Sequence, residues 1–143
     1  IKRSTALLTA NVRPPMQTAS KPAMIAIETG LLSDRSTEIV GVNWNNEGLK
    51  VSVFSKQWNA CARFEWVHGF RVLDESDLTE FWQHCNLLNG WVFEVLSGGW
   101  RELENQRENF ISGRSEKVKE FLIIGSNECI SILSEQPPAI SVN

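Results

Sequence analysis

The sequence predicts an α+β fold: a mostly antiparallel, twisted sheet of about six to eight strands, joined by hairpins and packed against one main helix near residues 76–86. Three observations predict it. Short apolar segments alternate with polar residues at the two-residue period of a half-buried strand. Turn residues separate neighbouring segments at hairpin spacing, as in Asn45-Asn46-Glu47-Gly48. Only one stretch, in the middle of the chain, carries apolar residues at helical spacing.

Taken in order, residues 1–22 are rich in Ser, Thr, Pro and Lys and read as a flexible arm before a single globular domain over 23–143. Residues 23–29 (AMIAIET) form the first strand candidate and 38–44 (EIVGVNW) the second. In 49–56, Leu49, Val51 and Val53 face one way and Lys50 and Ser52 the other. In 60–67, Ala62, Phe64 and Trp66 oppose Cys61, Arg63 and Glu65, and 69–73 extends or re-aims the run after His68-Gly69, where a bulge would fit.

The helix follows. Asp74 or Ser76 can cap it, Asp77 and Glu80 suit its positive end, and Leu78, Phe81, Trp82 and Cys85 form its apolar stripe. Asn89-Gly90 stops it. Residues 91–97 are strand and Gly98-Gly99 turns the chain. The polar stretch 100–120 fits a short strand with a long loop, or an exposed helix broken at Gly113. Residues 121–125 and 129–134 make a last hairpin, and Pro137-Pro138 keeps the tail extended.

The totals restrict function. The chain has 143 residues and a formal net charge of −3, so it has no basic excess with which to neutralise phosphates, and nucleic acid is not an expected partner. No run approaches the roughly 20 apolar residues of a membrane helix. With no membrane partner and no disulfide framework expected from the three cysteines, the chain reads as cytoplasmic. His68 and His84 lack a set of companion ligands, so neither a metal nor a cofactor is expected. A Cys129–His68 nucleophile pair has no glycine-framed elbow around it, and no catalytic residue is assigned.

Aromatic residues remain. There are six tryptophans and no tyrosine. Trp66, Trp82 and Trp91 sit at in-pattern positions and read as core, whereas Trp44, Trp58 and Trp100 stand beside turns. Exposed aromatics flanked by charge are typical interface anchors. The expected contact surface is therefore Trp58, Trp100, Arg101 and Arg107, with Asp74, Asp77 and Glu80 as an acidic edge that attracts a basic partner. In general character the chain is similar to small bacterial immunity or antitoxin proteins: acidic, strand-rich and Trp-rich, with no catalytic motif. That resemblance is one of type, and it implies a non-catalytic protein-binding domain that occludes a partner protein. The alternative is a small-molecule binder with an aromatic pocket between sheet and helix, lined by Phe64, Trp66 and Trp82. An open edge such as 121–125 would also allow a homodimer.

Overall fold

The computed structural model describes residues 20–143. The expected arm over residues 1–19 lies outside the described residues. Ser20 and Lys21 are held: the Ser20 amide donates to Glu102 Oε1 and the Ser97 hydroxyl to the Lys21 carbonyl.

Nine strands are present among the described residues: β1 (Ala23–Ala26), β2 (Glu38–Asn45), β3 (Gly48–Ser55), β4 (Trp58–Phe64), β5 (Gly69–Asp74), β6 (Val92–Ser97), β7 (Lys119–Ile124), β8 (Glu128–Ser134) and β9 (Ala139–Val142). They form two sheets, ordered β1-β6-β7-β8-β5 and β2-β3-β4-β9. Every pairing is antiparallel. The mostly antiparallel α+β character is as predicted, but a single sheet is not what forms. The two sheets lie face to face, and the main core fills the space between them.

The pleat explains that core. Leu49, Val51 and Val53 of β3 and Ala60, Ala62 and Phe64 of β4 point inward from the four-stranded sheet. They meet Val92, Phe121, Ile123, Ile130 and Ile132 of the five-stranded sheet. Phe64 and Phe121 rings lie 5.9 Å apart at the centre. Trp91 and Trp58 close one end, their rings 5.1 Å apart. Each indole N–H is satisfied, by Thr29 Oγ1 and by the Leu32 carbonyl respectively, which is what lets two tryptophans enter an apolar layer.

The opposite face of the five-stranded sheet carries a second core. Phe93, Val95, Leu122, Ile124 and Cys129 are covered by Leu78, Phe81 and Cys85 from the segment after β5. The predicted helix near 76–86 appears there in shortened form. It is a 3-10 helix, Glu75–Phe81, with a break at Leu78 (φ −123°, ψ 30°), and turns follow it to residue 89. Its stripe is buried as the spacing predicts. Its backbone differs because Ser76, Asp77 and Thr79 are weak helix formers, and Asp74 draws the first turn tight by accepting from the Ser76 amide.

Two further departures come from packing. The polar stretch opens with a single turn of α-helix, α1 (Trp100–Glu104), and later forms a 3-10 turn at Ile111–Arg114. The tail after Pro137-Pro138 becomes β9, which pairs with β4 through Ala60–Arg63. Among the described residues no helix is long and apolar enough to cross a membrane.

Candidate functional site

Four strands are sheet edges: β1 and β9 with four residues each, β5 with six and β2 with eight. β2 is the longest, and from Ile39 to Asn45 it carries neither charge nor proline. Such an edge presents unpaired N–H and C=O groups with none of the usual guards apart from an irregularity near Val40.

Beside it the sandwich is open. Val42 and Trp44 point to the inner face, since they pair with Val51 and Leu49, but they project past the edge of the five-stranded sheet. Trp44 stays 66% exposed and Val42 is also exposed. Across the seam stand Phe70 and Val72 of β5, which share the inner face with Ile132 and Ile130. The Trp44 and Phe70 rings are 6.2 Å apart, and Val72 is exposed. Four apolar side chains thus line a seam between two unpaired edges. Trp44 was legible as a turn-side tryptophan; Val42, Phe70 and Val72 carried no signal, because edge position is not written in a strand's own pattern.

The residues expected to make the contact surface lie elsewhere. Trp58 is half-buried in the main core against Trp91. Trp100 folds back over the five-stranded sheet: its ring stacks under the Arg71 guanidinium at 5.3 Å, and its N–H donates to Glu104 Oε1. The backbone N–H of Arg101 bonds the buried Glu120 carboxylate, while Arg101 Nη2 reaches the Ser115 carbonyl. Arg107 is exposed and pairs with Glu104 at 2.6 Å. Asp74 is engaged as a cap, and Asp77 and Glu80 face solvent. Trp58 and Trp100 are thus half-buried, because each finds a partner that its turn-side position does not reveal: the Leu32 carbonyl for Trp58, Arg71 and Glu104 for Trp100.

Nor do Phe64, Trp66 and Trp82 converge on one pocket between sheet and helix. Phe64 is 2% exposed in the main core. Trp66 is 72% exposed, contrary to its expected core position, because β4 ends at Phe64 and the alternation stops with it. These two border a groove of about 270 Å³ with Ser134 and Pro137, whereas Trp82 borders a separate hollow with Arg35 and Leu87. Trp82 donates to the Glu75 carbonyl.

The nucleophile pairing is not assembled. Burial drives the Cys129 thiol up to about 12, with nearby acidic groups adding to the rise and the Gly125 amide opposing it. His68 meets other partners: Nδ1 is 3.1 Å from Ser112 Oγ, and Nε2 is 4.0 Å from Glu135 Oε1, beyond hydrogen-bond range. Among the described residues no group of three or more His, Cys, Asp or Glu side chains is placed to hold a metal ion. Comparison of the chain with protein-family models, with curated proteins and with solved structures finds no match.

Proposed function

We propose that this chain is a non-catalytic protein-binding domain, which takes an extended segment of a partner protein along β2 and over the seam of Val42, Trp44, Phe70 and Val72. The observation that carries this reading is the uncharged, proline-free edge from Ile39 to Asn45 beside exposed apolar side chains. Strand addition supplies main-chain hydrogen bonds for affinity, and alternate side chains supply specificity. The incoming strand's inward residues would cover Trp44 and Val42, and water released from those apolar groups favours the complex. In the manner of small immunity and antitoxin proteins, the outcome for the partner is occlusion of the segment bound.

The test is selection of peptides from a random library on the full chain, followed by amide hydrogen exchange. Selected peptides should alternate apolar and polar residues and protect the amides of 39–45. Val42→Lys and Trp44→Ser, both at exposed positions, should each weaken binding at least tenfold. Peptides indifferent to both substitutions would remove the reading. Sedimentation that shows β2-dependent self-association would replace the partner protein by a second copy of the chain.

A further inference from the structure

The far end of the five-stranded sheet holds a different arrangement. β6 and β7 pair only from Val92↔Ile123 to Val95↔Glu120. Beyond that point the two strands are not paired with each other, and Leu96, Ser97, Val118 and Lys119 border a space that Arg101 and Glu102 of α1 also line. The result is a cleft of about 460 Å³, which falls in the size range of small-molecule sites.

Its lining is acidic. Glu94, Glu102, Glu116 and Glu120 face it, against Arg101 and Lys119. Lys119 Nζ lies 3.4 Å from Glu94, and Arg101 Nη2 donates to the Ser115 carbonyl while its Nε is buried without a partner. Glu102 accepts the amides of Gly98 and Ser20. What remains is Glu116 near the surface and Glu120 at depth.

Glu120 is the unusual member. It is 1% exposed, and although its Oε1 accepts the Arg101 amide, its Oε2 has no partner. A buried carboxylate oxygen without a donor is costly, and few native structures leave one without a reason. The Gly99 backbone packs directly against it. A Cβ on Gly99 would stand 2.5 Å from Glu120 Oε2 and 2.7 Å from Val95 Cγ1, so only glycine fits there.

We propose that this cleft binds an alkylammonium chain, one end of which donates to Glu120 Oε2 while Glu116 attracts charge nearer the mouth. The acids are spread along the cleft and do not converge as a metal cluster would. This favours charges separated by methylenes over a point ion. The apolar parts of Val95, Leu96 and Val118 border the same space and suit those methylenes. This inference is independent of the β2 reading and concerns the interior strands β6 and β7 of the other sheet.

Calorimetric titration of the full chain at low salt tests it, with 1,4-diaminobutane and spermidine as probes, a lysine-bearing peptide as the polypeptide source, and choline and Mg²⁺ as controls. One-to-one binding of a diamine or the peptide, at least tenfold tighter than either control, is the expected result. Which of the two binds tighter identifies a free amine or a partner's lysine as the source. Glu120→Gln should weaken binding at least tenfold. Glu116→Gln, at an exposed position, should weaken it severalfold while leaving the near-ultraviolet circular dichroism unchanged, which guards against a variant that merely misfolds. No saturable binding, equal binding of choline or Mg²⁺, or indifference to Glu116→Gln would overturn the proposal.

Discussion

At the scale of single residues, Glu120 shows how placement alters a side chain. Burial raises its carboxyl above the ordinary 4.5, while the Arg101 and Trp100 amides and the Arg71 and Arg101 charges pull it back. The charges of Glu104 and Glu80 also act on Arg71, so the positive charge near Glu120 is shared. The folded chain holds this proton more tightly than the unfolded chain does. The group therefore favours folding most below its unfolded pKa, and that contribution is lost as pH rises through the folded value. Glu120→Gln, neutral throughout, should gain stability relative to the parent as pH is raised from about 4.5 upward. Urea unfolding of both proteins across that window measures the difference. A parent that instead gains on the variant with rising pH would show the ionised carboxylate to be the stabilising form. Asp34 and Asp74 are shifted the other way, by the hydrogen bonds of Ser36 and Ser76, and their contribution is lost only as pH falls through their lowered values. Both proteins share it, so it cancels.

At the scale of elements, the hairpins are the best-specified parts. The β2–β3 turn ends at Gly48, whose φ is +116°, and a Cβ there would stand 2.2 Å from the Phe64 carbonyl oxygen. Backbone strain and a clash with the neighbouring strand act together. Gly48→Ala should destabilise the fold by about 1–3 kcal/mol, read from the denaturant midpoint. A loss under about 0.5 kcal/mol, the range of an ordinary surface change, would mean the turn relaxes. The segment Glu75–Phe81 teaches the reverse lesson. Helical spacing correctly marked Leu78, Phe81 and Cys85 as buried, yet the backbone is a broken 3-10 helix. The sheet selects which side chains are covered, and the capping residues decide how tightly the chain winds.

At the scale of the molecule, two cores share the five-stranded sheet, one against the second sheet and one beneath the 75–90 segment. The cysteines report on them. Cys85 and Cys129 lie buried in the second core, their thiols pushed by burial up to about 11 and about 12. Cys61, on the outer face of β4, is half-exposed. Alkylation under native conditions near neutral pH should modify Cys61 and spare the other two until denaturant opens the chain. Mass spectrometry of the labelled protein measures this. Early labelling of Cys85 with Cys129 still protected would show the 75–90 segment lifting from the sheet by itself.

By itself, the sequence determined most of the local facts: where the strands before β9 run, where hairpins turn, which faces of β3 and β4 are apolar, and that one central segment lays an apolar stripe on a sheet. These follow from the pleat and from turn geometry, which act over a few residues. Only the tertiary structure decided that nine strands divide into two sheets, that Trp58 and Trp100 are half-buried, and that Trp44 and Trp66 remain outside. Both candidate sites belong to this second group. β2 is an edge because no other strand lies beyond it, and Glu120 is buried because Gly99 and α1, distant in the chain, close over it. A strand's two-residue period says which side chains share a face. What covers that face is settled by segments tens of residues away, whose meeting reflects the packing of the whole chain.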